Sequence, residues 1–390
     1  MLAGQAPATW FPRRLAASIV LVSALLPASS PRSIVQAFDA DPIDASAQDR
    51  RLRDASTNDR TQLDRTHREE GEAILALADA AMAGKAVPSD FGIEWQNDFI
   101  KAQRGTFVPF TLSVDASKLS RPAALVYVRL VYVRAAPRGR QDRGRAQAEP
   151  FPVDAIFPVE FGQLSGAPFR FSRGFSVPSG EYDVFVVMRE RVDPEAPRPA
   201  PKAAVVRRQL SVPDFWSGEL TTSSLIVADR LTTLVEDVAP DQLAERPYAI
   251  GRLEVTPAAD RTFRRDEELV VVFLVYHPMV TAERQFDVKV EYHFFRKAER
   301  NGDTREPAES EVTHPPARPG ERYFNHTDPQ RFNPALMGVA VNPSNGEPVL
   351  AGQIVPLAGF EIGEYRLDVQ ILDLLSGKSI SRDVFFTVGG

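Results

Sequence analysis

A chain of 390 residues exceeds what a single hydrophobic core usually organises, so more than one domain is expected. Hydrophobic residues at 43% and charged residues at 25% are ordinary globular values, and a net charge of −6 supplies no pull toward nucleic acid. Cysteine is absent, which excludes disulfides, thiolate metal sites, cysteine nucleophiles and a lipid-modified N-terminal cysteine.

The first 37 residues read as an export signal. Arg13-Arg14 precede an apolar run over residues 15–26, too short to span a bilayer comfortably, and Pro27 ends it. Val35-Gln36-Ala37 offers small residues where a signal peptidase cuts, so cleavage is expected after Ala37, with Ala28 and Ser30 as rival positions and an uncleaved anchor as the alternative. No transmembrane span remains after cleavage. An exported chain without disulfides suits a bacterial envelope, either the periplasm or the outside of the cell.

Residues 38–68 form a charged stalk, disordered or helical, because mixed charge without large apolar residues cannot build a core. A helix and its connection follow over residues 69–92. Ile74, Ala78, Ala81 and Met82 share one face at helical spacing, with acidic residues in the first turn and Gly84-Lys85 at the end.

Strand signals then fill residues 93–213, with runs at 106–114, 123–133, 169–177, 182–189 and 205–212. A basic loop at 134–145 lacks interleaved aromatic residues for stacking on bases and reads as a solvated hairpin tip. Residues 214–219 serve as a linker, whose Phe215-Trp216 pair is expected to pack rather than bind. A second strand-rich stretch, 220–390, has runs at 220–228, 250–256, 269–276 and 286–296. A long loop over 297–350 interrupts it, and loops of that length tend to be functional or disordered. Its aromatic and polar second half supplies the candidate interaction surface: Arg322, Tyr323, Phe324, Asn325, His326, Asp328, Arg331 and Phe332.

One phrase occurs twice. Phe175-Ser-Val-Pro-Ser-Gly180-Glu-Tyr182 returns as Phe360-Glu-Ile-Gly363-Glu-Tyr365, each followed by an alternating strand and a closing strand. A turn glycine and a tyrosine ahead of the last two strands is how many immunoglobulin-like domains finish. The fold class is therefore mainly β: two tandem immunoglobulin-like β-sandwich domains behind a signal peptide, a charged stalk and one helix. Gly180, Tyr182, Gly363, Tyr365 and Trp216 are assigned structural roles, the tyrosines by burying their rings while their hydroxyls bond nearby backbone.

Three blocks carry a resemblance: residues 247–257 with 263–273, residues 325–333, and residues 355–373 with Ser376-Gly-Lys and Phe386-Thr-Val388. Together they resemble the C-terminal β-sandwich modules of exported soil-bacterial proteins of the VWFA-related and GWxTD type, over roughly residues 220–390. Trp95-Gln-Asn-Asp-Phe-Ile-Lys-Ala-Gln103 extends the resemblance toward the first module. The resemblance implies an envelope or secreted protein and brings no catalytic residues. The chain has neither a Gly-Trp-x-Thr-Asp motif nor the Asp-x-Ser-x-Ser metal-adhesion signature, so neither name carries a function over.

Chemistry-bearing patterns are sparse. His67, His277, His293, His314 and His326 show no zinc-site spacing, although His277 and His293 fall on strands that would be neighbours. No nucleophile elbow, phosphate loop or dinucleotide fingerprint occurs. Glu267-Glu268 and Asp237 with Asp241 are candidate calcium carboxylates, more simply read as solvated loop residues. The leading expectation is a non-enzymatic structural or adaptor module of the cell envelope, without cofactor or metal, that binds another envelope protein. A glycan- or small-ligand-binding accessory module is the alternative, and an unrecognised hydrolase ranks third.

Overall fold

The computed structural model describes residues 67–135, 151–161, 168–192, 199–239, 242–298, 314–337 and 341–390. The expected signal peptide, most of the charged stalk, most of the basic loop and residues 299–313 of the long loop lie outside them. The chain is mainly β and packs as two compact units. The break falls between Asp214 and Phe215, inside the expected linker. One boundary needs correction: Asp98–Lys101 belongs with the second unit, not the first.

The first half carries helix α1 (residues 67–82) and strands β1 (Glu94–Asn97), β2 (Ile100–Lys101), β3 (Thr106–Asp115) and β4 (Ala123–Ala135). It continues with β5 (Val153–Glu160), β6 (Pro168–Val177), β7 (Gly180–Glu190) and β8 (Ala203–Val212). One sheet runs β5-β4-β7-β8, and in the other β3 lies between β1 and β6. On β4, Ala124, Val126, Val128 and Leu130 are fully buried on the inner face. Tyr127 on the opposite face is buried too, because with Val187 it packs under Ile74 and Ala78 of α1. Coverage on both faces explains why β4 and β7 read as continuous apolar runs. The helix is anchored by Glu70, which accepts from Arg191 Nη2 at 3.1 Å and from the Val192 amide, and by Asp79, 2.7 Å from Arg129. Its packed face is narrower than expected: Met82 is exposed.

The second half contains β9 (Thr221–Thr222), β10 (Ile226–Thr233), β11 (Ala249–Ile250), β12 (Leu253–Pro257), β13 (Thr262–Arg264), β14 (Glu268–Tyr276) and β15 (Val288–Lys297). It ends with β16 (Glu321–His326), β17 (Gln330–Phe332), helix α2 (Pro334–Met337), β18 (Val349–Pro356), β19 (Gly363–Asp373) and β20 (Ser379–Gly389). One sheet is β11-β12-β10-β14-β18, with β9 also on β14. The other is β13-β20-β19-β15-β16, with β17 also on β15. Between them lies a core in which Val271 and Phe273 of β14 share a cluster with Tyr292, Phe294, Leu367 and Val369. The far face of β14 is covered as well, by Phe215, Tyr248, Ile226 and the partly buried Phe99 and Ile100. Buried Gln330 ties the sheets together: its side chain accepts from the Tyr292 hydroxyl at 3.0 Å and donates to Gly352 O at 2.9 Å.

Short strands lie within the second half of the expected loop 297–350. These are β16 and β17, both hydrogen-bonded to β15, and β18 begins at Val349. Interspersed Asn, Asp and His concealed short strands whose alternate residues, Phe324 and Phe332, point to the core. β5 was also hidden: it flanks only β4 in its sheet, and it carries Asp154, Pro158 and Glu160, residues suited to a sheet edge. No helix among the described residues is long and apolar enough to cross a membrane.

Candidate functional site

The repeated phrase builds the same local device in both units. Tyr182 donates its hydroxyl to Pro178 O at 2.7 Å and Tyr365 to Glu361 O at 2.8 Å, each four residues upstream. Both rings are buried. Gly363 sits at φ +157°, and a Cβ there would lie 2.9 Å from Arg296 Nε, whose guanidinium also donates to Ile362 O. Gly180 takes the same conformation at φ +152°.

The candidate interaction surface divides. Phe332 is fully buried in the core, and Phe324 packs on Phe360 and Tyr365 with ring centroids 4.9 and 5.2 Å away. Phe332 is not available as a surface residue, which corrects its assignment, and Phe324 is half-buried with its ring turned to the core. Arg331 is exposed but pairs with Asp287, Arg322 lies 3.7 Å from Glu361, and Asn325 accepts from the His326 amide. Asp328 is exposed. Tyr323 and His326 face the other way, onto the outer face of the sheet. Trp95 stacks on Phe110 at 4.5 Å, whereas Trp216, assigned a packing role, is half exposed with the Lys101 ammonium 4.3 Å over its ring. Burial holds that amine below the ordinary lysine range, and its Nζ lies 3.0 Å from His277 Nε2. His277 lies just past the end of β14, whereas His293 is on β15 in the other sheet. Glu267 is used locally, accepting from the Arg264 amide, and Asp241 lies outside the described residues.

The outer face of β13-β20-β19-β15-β16 carries the densest polar chemistry. Successive outward residues pair across the strands as Phe295–Arg366–Phe385 and His293–Asp368–Asp383. Arg366 is buried, with its guanidinium 4.2 Å above Phe295. It donates to Glu321 at 2.7 Å and to Asp368 and Asp383 at 3.0 Å each. Burial works against its charge, but Glu321 and Asp383 more than offset that and raise its pKa further. A saturated charge of this kind fixes the position of β16 rather than offering a reactive group.

Beside this network lies a groove of about 510 Å³. Its floor is Phe385 with Arg366. One wall is Arg261 and Thr262 at β13, and the other is Pro319, Gly320 and Glu321 just before and at β16. Lys297 and Glu364, paired at 2.7 Å, close one end. Phe385 is 53% exposed, an apolar ring left open among charged and hydroxyl groups. Sequence reasoning missed this groove because Arg261, Lys297, Pro319 and Phe385 are far apart in the chain. The one available signal was Phe385-Phe386, where one ring must face outward if its neighbour faces the core.

Among the described residues, no three histidine or carboxylate side chains converge to hold a metal. Three histidines do cluster near Tyr323. His314 stacks on its ring at 3.8 Å, His326 Nδ1 lies 2.9 Å from its hydroxyl, and the buried His293 is the cross-strand partner of His326.

No protein-family model matches the chain, and no curated protein matches it. Among solved structures it is similar to a Salmonella alpha-2-macroglobulin mutant, at 13% identity and a TM-score of 0.19, over 78% of this chain and 17% of that one. It is also similar to red sea bream transglutaminase, at 11% identity and a TM-score of 0.18, over 80% of this chain and 33% of that one. The chain thus spans under a fifth and about a third of these two proteins' lengths.

Proposed function

We propose that the chain is an exported, non-catalytic adaptor module of a bacterial envelope, built from tandem immunoglobulin-like sandwiches, and that it binds a partner protein through the groove on the second unit. The observation that carries this reading is Phe385: a large apolar ring, half exposed on the floor of a groove whose polar walls are already held in place by ion pairs. An apolar anchor inside a polar rim is the anatomy of a binding hot spot, and a pre-organised wall lowers the ordering cost of association. Lys297 with Glu364 and Arg366 with Glu321 are spent on one another, as suits a rigid recognition surface. None of residues 322–332 lines this groove; β16 contributes Glu321 at its start.

The test is capture from envelope extracts with the full chain, beside Phe385→Ala, which leaves the core untouched. A stoichiometric partner held by the wild type and lost by Phe385→Ala supports the reading. Equal capture by both variants removes the groove from it. A second reading, a glycan seated on the Phe385 ring, is favoured by Thr262 and Thr387, which pair across β13 and β20 at the groove. Retention on a polysaccharide matrix that depends on Phe385, without a protein partner, would select it.

A further inference from the structure

One groove wall, Pro319 and Gly320, belongs to a strap of residues 314–320 that leads into β16. The strap is held at both ends, and at its far end Gly320 O also accepts from the Ala298 amide at 2.8 Å. At its far end Arg318 meets Asp383 at 2.6 Å, and the adjoining Glu321 meets Arg366. At its near end the holding contact is His314, its ring 3.8 Å from Tyr323 and inclined by 8°. Under that end lies His293, 3% exposed, whose Nδ1 has no hydrogen-bond partner among the described residues. The ring centroids of His293 and His326 are 6.4 Å apart.

We propose that these three histidines form an acid-operated latch that frees the near end of the strap, the segment that runs into the groove wall. The inference rests on the groove as the binding site. With neutral imidazoles the stack closes over His293. A proton on His293 demands water that the closed arrangement denies it, and the neighbouring His326 and His314 rings oppose its charge.

The groups around His293 fix the balance. Glu291 on its own strand and Asp368 on β19 favour its charged form, with Asp383 on β20 behind them. Against them stand burial, His326 and His314, while Arg366 on β19 and Arg318 on the strap add positive charge nearby. Tyr323 on β16 stays neutral at physiological pH, and Glu321 is taken up by Arg366. Burial prevails and holds the His293 pKa below the ordinary histidine value of 6.5. The closed strap is therefore stable above that value and loses stability as pH falls below it, since the open state takes the proton more readily. The far end stays tied by the Arg318–Asp383 and Glu321–Arg366 pairs, so the opening is local.

The experiment is amide hydrogen exchange of the full chain at about pH 7.5 and about pH 5, corrected for intrinsic rates. The expected result is a loss of protection of roughly tenfold or more, confined to residues 314–326, with β19 unchanged. His293→Leu keeps the face filled and takes no proton, so it should abolish the response, and His326→Gln should shrink it. Should His293→Leu fail to fold at neutral pH, His326→Gln decides alone. The proposal is overturned by equal protection at both pH values, by a response intact in the variants, or by loss of protection across the whole second unit together. None of these readouts involves a ligand, so failure here leaves the groove's own test untouched.

Discussion

Tyr365 donates its hydroxyl hydrogen to the carbonyl of Glu361 at 2.8 Å, across the turn that Gly363 makes possible. Tyr182 and Pro178 repeat the relationship at 2.7 Å in the other unit. Removing only the hydroxyl, in Tyr365→Phe, should cost about 1 kcal/mol. Removing the ring, in Tyr365→Ala, should cost about 3–5 kcal/mol, because it vacates the cluster with Phe360 and Phe386. Urea unfolding of the full chain measures both. Equal costs for the two variants would mean the ring contributes nothing.

Gly352 on β18 is fixed by close approach rather than by its dihedral angles. A Cβ there would lie 2.8 Å from Val271 O, a backbone atom in the neighbouring strand. Gly352→Ala should destabilise the second unit by about 1–3 kcal/mol and perturb Gln330, which bonds the Gly352 carbonyl. A thermal melt superimposable on wild type would contradict this.

Asp98 is buried in the second unit, and its carboxyl is pushed up from 3.8 to about 6 by burial, which Tyr248, Arg261 and Ser224 only partly oppose. The folded chain binds that proton more tightly than the unfolded chain. Its contribution is therefore most favourable below pH 3.8 and is lost as pH rises to about 6. Asp98→Asn should raise stability at neutral pH by about 2–3 kcal/mol, at 1.36 kcal/mol per pKa unit, and have little effect in acid. Denaturant midpoints at the two pH values check it.

Glu190 has the opposite sign. It is fully buried, and burial opposes its charge, but the amides of Ser120, Lys202 and Arg121 and the Ser120 hydroxyl together hold its carboxyl below the usual 4.5. Its stabilisation is present above pH 4.5 and disappears as pH falls through its lowered folded value. Glu190→Gln should cost about 2–3 kcal/mol at neutral pH and blunt the acid sensitivity of the first unit. An unchanged acid limb in its pH–stability curve would count against that assignment.

What could be read from the sequence followed periodicity and repetition. The strong β runs at 123–133 and 269–276 fell where β4 and β14 lie, because burial on both faces leaves an unbroken apolar signal. The twin tyrosines were assignable because a repeated residue at a repeated turn points to architecture. β16, β17 and β18 were not legible. β16 and β17 are short, and all three pair with β15 or β14 across tens of residues. Asp98–Lys101 was misplaced for a related reason: nothing local shows that Phe99 and Ser224 exchange hydrogen bonds 125 residues apart. The groove and the histidine cluster depend on the same long-range register, so their residues were visible but their meeting was not.

The central claim is that the second unit binds through the groove floored by Phe385. The most direct measurement places a photo-crosslinking benzoylphenylalanine at position 385, and in a separate variant at Val235, which is 87% exposed on the opposite sheet's connection. Both full-length chains are then irradiated in source-cell envelopes. The account predicts one discrete protein adduct from position 385 and none from position 235. Adducts from position 235 alone, or from neither position with folded chains, would contradict it.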